Sequence, residues 1–219
     1  MQIAVQHDMM LHQMDVKSAY LHAPIDQEVY VTQPTGYAIA NKVWKLNKSL
    51  YGLKQSGRNW HQTLNTYFKE LGFNQSTADL CIFFKRDGNE IIILLVWVDD
   101  IILAHKSMSD IKSKLELKFD MKDLGKLSSF LGIKFNQVNG TVTMSQEHYL
   151  NNVLKSFGKE NCKPRSTPCE SNLKLYKESN AEEKDITEYR RMVGTIILCI
   201  QVIINFFTAI MNILKGETS

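Results

Sequence analysis

The chain lacks any close pair of cysteines: Cys81, Cys162, Cys169 and Cys199 form no C-x-x-C unit, and none has a histidine at zinc-ligand spacing. A structural zinc is therefore excluded on pattern, and a reduced intracellular setting, the cytoplasm, is expected. A basic-then-apolar leader is missing too, since His7 and Asp8 interrupt the first apolar residues, which argues against secretion. Neither sign of charge dominates: 26 Lys and Arg against 23 Asp and Glu leave +3, too little by itself to specify a nucleic-acid partner. Long uncharged runs are absent except over 196–214, and there Gln201, Asn205, Thr208 and Asn212 recur, so a helical segment is expected rather than a membrane span. No internal repeat is visible. What remains is an ordinary folded composition, 44% apolar and 22% charged, long enough to bury a substantial core.

One local absence is informative. Between Glu28 and Glu70 there is no acidic residue, while Lys42, Lys45, Lys48, Lys54, Arg58 and Lys69 are interleaved with Trp44, Tyr51, Trp60 and Tyr67. Cations that neutralise phosphates beside rings that stack on bases suit a nucleic-acid surface. A solvated basic face has the same composition, so both readings stand at this point.

Along the chain, residues 11–20 and 28–32 read as strand, turn and strand, and the spacing of Trp60, Leu64, Tyr67, Phe68 and Leu71 predicts an amphipathic helix from Ser56, stopped at Gly72. CIFFKR and IIILLVWV flank the turn signal Asp87-Gly88-Asn89-Glu90. A second hairpin follows, with Asp99-Asp100 expected at its tip. Ser109 is the expected cap of a helix running to Phe119. LSSFLGIKF and TVTMSQ then form a hairpin around Val138-Asn139-Gly140, before a helix over 146–157. Hairpins alternating with helices predict an α+β fold. The expected division is a core over 1–158, a linker over 159–186 rich in Pro, Ser, Asn and mixed charge, and a helical segment over 187–219.

Adjacent aspartates at a hairpin tip repel each other, and Asn-Gly or Asp-Gly is the ordinary choice, so a bound cation is the natural explanation. Asp15, Asp99 and Asp100 are the candidate ligands. Carboxylates converging from separate strands suit hard divalent ions such as magnesium. Unrelated strand-end and turn aspartates would look the same without further motifs.

Further motifs are present. LHQMDVKSAYLHA at 11–23, VWKLNKSLYGLKQSGRNW at 43–60, GFNQSTADLCIF at 72–83, LLVWVDDIIL at 94–103, FDMKDLGKLSSFLGI at 119–133 and KPRSTPCE at 163–170 occur in this order. By them the chain resembles the reverse transcriptases of copia-type LTR retrotransposons, nearly end to end. The resemblance implies a polymerase palm built on an antiparallel sheet with flanking helices, and a partial thumb or connection. It implies RNA-directed DNA synthesis with two Mg2+ ions, or Mn2+, held by Asp15, Asp99 and Asp100, acting on an RNA or DNA template with primer and on deoxynucleoside triphosphates, with no membrane. It places Tyr20 as the aromatic beside the sugar 2′-position, and Tyr51, Gly52, Lys54 and Gln55 beneath the incoming nucleotide. Leu131-Gly132 resembles the primer-supporting hairpin, and Lys122 falls where a lysine can protonate departing pyrophosphate. Lys42, Lys45, Lys48 and Arg58 become the expected nucleic-acid contacts.

The chain departs from the family pattern at Trp97, where tyrosine is usual, and at Gly57, where proline is usual; reduced activity is the expected consequence. The fingers are expected to be largely missing upstream, and Ile203-Ile204-Asn205-Phe206 replaces a Thr-Arg-Pro-Asp stretch. Two other readings stand beside the polymerase: a catalytically silent remnant that still binds nucleic acid, and a nonfunctional fragment of an element.

Overall fold

The computed structural model describes residues 2–88, 90–164, 166–167, 186–198 and 200. In chain order they form α1 (Gln2–Gln6), β1 (Met10–Val16), a 3-10 turn (Ala19–His22), β2 (Tyr30–Val31), β3 (Trp44–Lys45), α2 (Ser56–Glu70), β4 (Asn74–Gln75), β5 (Ile82–Asp87), β6 (Glu90–Trp97), β7 (Asp100–His105), α3 (Ser109–Lys118) and β8 (Met121–Lys126). β9 (Ser129–Phe130), β10 (Ile133–Val138), β11 (Thr141–Ser145) and α4 (Glu147–Ser156) follow. Residues 186–198 are helical. The fold is α+β, with antiparallel strand pairing, as the alternation of hairpins and helices predicts. Most of the expected linker over 159–186, and the apolar run over 196–214 beyond its first residues, lie outside the described residues. Among the described residues no helix is long and apolar enough to cross a membrane.

The described chain divides into two compact units, one of residues 2–127 with 137–142 and the other of 128–136 with 143–200. The first unit is built on a six-stranded sheet ordered β4-β5-β6-β7-β1-β8, with β1 inside it. The β-branched run of β6 buries Ile92, Leu94 and Val96 on one face, as a period-two strand does when one side meets a core. Met14 and Val16 of β1 and Ile101 and Leu103 of β7 join the same core.

α2 covers that core with Trp60, Leu64 and Phe68, spaced four apart and at most 2% exposed. Removing each such side chain from water contributes roughly 1.5–3 kcal/mol. The helix stops as its sequence predicts: Gly72 adopts φ +85, its amide donates to Lys69 O at 2.9 Å, and the Phe73 amide donates to Phe68 O at 2.9 Å. Those two bonds satisfy carbonyls that the helix end would otherwise orphan. α3 adds Ile111 and Leu115. Its N-cap position is Met108 rather than Ser109, which is the first helical residue; no side chain caps it.

In the second unit, the expected single strand through LSSFLGIKF is broken into β9 and β10. Leu131 and Gly132 both take positive φ, 50° and 77°, and form a two-residue hairpin closed by the Phe130 and Ile133 pair. Asn139 and Gly140, which belong to the first unit, turn in the same hand, φ 48° and 72°, before β11. Both follow the geometry that two-residue hairpins prefer, because its twist matches that of the strands.

Candidate active site

β1 and β7 run antiparallel with Asp15 directly opposite Asp100. Opposed residues of such a pair project from the same face. Since Met14 and Val16 point into the helix-covered core, Asp15 and Asp100 leave the sheet on the other side. Asp99 lies in the turn between β6 and β7, and the Val16 amide donates to its carbonyl at 2.8 Å, tying the turn to the end of β1. The three carboxylates thus share one end of the sheet. Burial pushes the Asp100 carboxyl above its ordinary value, and the neighbouring charges of Asp15 and Asp99 push it further, against a hydrogen bond from Gln13 that lowers it.

The hairpin tip sits one residue earlier than the sequence suggests. Trp97 pairs with Asp100, so the turn residues are Val98 and Asp99, and Asp100 is the first residue of β7. Register is the reason: only with Asp100 in the strand do Val96, Ile101 and Leu103 fall on the core side. Val98 carries φ 56° while Asp99 does not have positive φ, the pattern of a type II′ turn, whose first central position favours glycine. A β-branched residue there is strained. The turn is fastened by Trp60, whose indole Nε1 donates to Val98 O at 2.5 Å.

Tyr20, on the 3-10 turn after β1, stacks on Tyr51 with ring centroids 4.4 Å apart. The Tyr51 hydroxyl is pushed up, first by burial and then by the charge of Asp99, which places this ring pair beside the carboxylates. The loop from Ser49 to Ser56 is closed on itself: Ser56 Oγ donates to Leu50 O at 2.6 Å and accepts from the Leu50 amide at 3.2 Å. Gly52 turns within it at φ 96°. Tyr51 and Lys54 are exposed on this loop, and Gln55 occupies the N-cap position of α2. A Cβ added at Gly57 would stand 3.6 Å from the Tyr20 hydroxyl, so Tyr20 also borders the start of α2.

The expected basic contacts separate into two kinds. Lys45 is ion-paired with Glu28, and Arg58 with Asp26. Asn59 Nδ2 also donates to Asp26 at 3.1 Å, and this bond first, then Arg58, holds the Asp26 carboxyl below its ordinary value. Lys42 and Lys48 are exposed and, among the described residues, form no ion pair. Beside them on the β2–β3 ribbon, Tyr37 is 71% exposed and lies 6.4 Å from the Trp44 ring. In the second unit, Leu131 and Gly132 form the hairpin described above, with Leu131 in the turn rather than in the core.

Four features escaped the sequence. A bulge between β1 and β8 at Gln13 and Met14 leaves Gly125 opposite Gln13, Asp123 opposite Met14 and Lys122 opposite Asp15. A one-residue slip reverses which face a side chain takes, so the bulge sends Lys122 to the carboxylate face and Asp123 to the helix face. There Lys112 of α3 reaches Asp123 at 2.7 and 2.8 Å and His12 Nδ1 at 2.5 Å. The signal available beforehand was Lys112 standing three residues before Leu115, on the buried side of its helix. The indole bond of Trp60 and the contact of Gln13 with Asp100 left no such signal.

Comparison with known proteins settles the family. Reverse transcriptase (RNA-dependent DNA polymerase) sequences match residues 1–171. The chain belongs to that family. Among its relatives, the retrovirus-related Pol polyprotein from transposon TNT 1-94 of Nicotiana tabacum is 40% identical over 194 residues, covering 83% of this chain and 15% of the polyprotein. The Pol polyprotein from transposon RE1 of Arabidopsis thaliana is 34% identical over 200 residues, covering 89% and 14%. A putative transposon Ty5-1 protein of Saccharomyces cerevisiae is 32% identical over 193 residues, covering 85% of this chain and 63% of that protein. The chain is thus a copia-type LTR retrotransposon reverse transcriptase region, spanning about a seventh of the length of the two plant polyproteins.

Reverse transcriptases of this kind imply divalent metal ions. The donor set here is made of carboxylate oxygens alone, which suits magnesium or manganese and not a softer metal. Backbone placement agrees, with two carboxylates facing each other across β1 and β7 and the third in the adjoining turn. As folded, no group of three or more His, Cys, Asp or Glu among the described residues closes into a metal-holding cluster.

Proposed function

We propose that this chain is the palm-centred core of an RNA-directed DNA polymerase, joining a deoxynucleotide to a primer by attack of the 3′-hydroxyl on the α-phosphate. The observation that carries the reading is the register of Asp15 opposite Asp100 with Asp99 in the adjoining turn. Asp15, Asp99 and Asp100 would hold two magnesium ions, and such ions supply charge neutralisation for the phosphate oxygens. The residues' own work is placement: β1 and β7 fix two carboxylates, and the bonds from Val16 and Trp60 fix the turn that bears the third. Tyr20 and Tyr51 line the side of the carboxylates where the sugar and base of an incoming deoxynucleotide would lie, with Gly52, Lys54 and Gln55 on the loop beneath. Lys122 stands opposite Asp15, and we assign to it the proton given to the leaving pyrophosphate. In the second unit, the Leu131-Gly132 hairpin is assigned to support the primer.

Template and primer strands are assigned to the β2–β3 ribbon, with Lys42, Tyr37 and Trp44, and to Lys48 beyond it; Lys45 and, on α2, Arg58 are already ion-paired and act mainly as braces. Binding should weaken steeply with salt if phosphates are neutralised. The deciding assay is magnesium-dependent primer extension on an RNA template by the folded chain, abolished by Asp99→Asn. Folded protein that extends no primer overturns the polymerase reading. Salt-sensitive primer-template binding without extension would favour a silent remnant.

A further inference from the structure

We infer that Gln13 is a positioning residue for the carboxylate site, holding one oxygen of Asp100 on the sheet face that Asp100 shares with Asp15. Gln13 Nε2 donates to Asp100 Oδ1 at 2.9 Å. The register explains why a glutamine is needed. Gln13 is opposite Ile102, and Asp100 opposite Asp15, so Gln13 and Asp100 are diagonal neighbours on one face. Such diagonal neighbours stand roughly 7–8 Å apart along the backbone, a span that a long side chain crosses and a short one does not.

The surroundings make the amide conspicuous. Gln13 is 8% exposed, and the same face continues with Leu11 and Ile102, each 4% exposed. An amide placed among apolar neighbours carries a desolvation cost unless it is bonded, so fold stability alone would be served as well by leucine or methionine. Bonding to a carboxylate offsets that cost, because charge-assisted hydrogen bonds are the stronger kind. Across the other edge of β1 stands Gly125, at φ 76° in the bulge, with open space where a Cβ would be. No side chain from that position contends for the amide. One bond to Oδ1 leaves Oδ2 and further lone pairs of the carboxylate to a ligand.

This inference rests on the reading of Asp100 as a metal ligand, and the test separates the two. Mn2+ binding to the intact chain, without primer or nucleotide, is followed by electron paramagnetic resonance, alongside the thermal unfolding midpoint. Gln13→Met keeps the length of the side chain and removes the donor; Gln13→Leu serves if the methionine variant does not fold. The expected result is Mn2+ affinity weakened by about 10–100-fold, the usual consequence of losing a group that orients a ligand, with an unfolding midpoint at or above that of the unsubstituted chain. Lys112→Met, by contrast, lowers the midpoint and leaves Mn2+ affinity in place. If Gln13→Met binds Mn2+ as the unsubstituted chain does, the inference is overturned and the polymerase reading stands. If the unsubstituted chain itself binds no Mn2+, both are overturned.

Discussion

The two faces of strand β1 treat charge in opposite ways. On the helix side, Lys112 meets Asp123 and His12 in a closed cluster, and Lys112 is only 8% exposed. Burial works against the Asp123 carboxylate, but the Lys112 bond, the Gly125 amide and the Lys112 charge outweigh it and hold its pKa down. On the other side, Asp15, Asp99 and Asp100 gather like charges. There the balance is reversed, and burial with two neighbouring carboxylates holds the Asp100 pKa up. Lys122, opposite Asp15, makes no ion pair among the described residues. One face uses its charges to hold α3 and β8 together; on the other, Asp15, Asp99 and Asp100 form no ion pair among the described residues.

The sharpest way to break this contrast is to neutralise each face in turn. Asp99→Asn is expected to lower magnesium-dependent primer extension by about 1,000-fold or more, since charge stabilisation of this kind contributes several kcal/mol to the barrier. Its unfolding midpoint should stay level or rise. A large fall in the midpoint would show that the acidic face is structural after all. Lys112→Met should do the reverse, lowering stability in urea by about 1 kcal/mol, because it removes the ion pair and hydrogen bonds to a carboxylate that is 39% exposed. Unchanged stability would dissolve the distinction between the faces.

Val98→Gly tests the strain on the acidic side. Releasing a β-branched residue from positive φ should raise stability by about 1 kcal/mol, while loosening the turn that carries Asp99 and so slowing extension. An equal gain from replacing Gly140, in the Asn139-Gly140 turn, would contradict this, since that turn already has the residues its geometry favours.

The smallest expected effect is in the pH dependence. Asp123 and His12 both have lowered folded pKa values, burial being the first cause for His12 with the Lys112 charge next. Their contribution is present above the unfolded values and is lost as pH falls through the folded ones. Asp100 has the opposite sign: with its folded pKa raised above the ordinary 3.8, stability falls as pH climbs from there through the folded value. Denaturation midpoints measured across pH should lose the Asp123 part of the acid limb in Lys112→Met, leaving the part that burial of His12 causes, and should lose the opposing limb in Asp100→Asn. Identical profiles in the two variants would sink the assignment.

Much of this architecture was legible beforehand. The fourfold spacing of Trp60, Leu64 and Phe68 marked α2, Gly72 marked its end, and Asn139-Gly140 marked a hairpin, because each is decided by neighbours a few residues apart. Asp15, Asp99 and Asp100 could be named from motifs and the oddity of adjacent turn aspartates. The place of Asp100 was one residue off, since strand register depends on which side chains a distant core accepts. Lys45 and Arg58 were grouped with Lys42 and Lys48 by composition, and only folding brought Glu28 and Asp26 to the first two.

By itself, the sequence determined the α+β class and the order of the hairpins and helices, and it named the acidic residues of the candidate site, all matters of local pattern. The tertiary structure alone decided that Asp100 faces Asp15, that Gln13 reaches Asp100, and that a bulge parts Lys122 from Asp123. Those outcomes depend on the pairing of β1 with strands more than eighty residues away, where a shift of one residue turns every side chain to the other face.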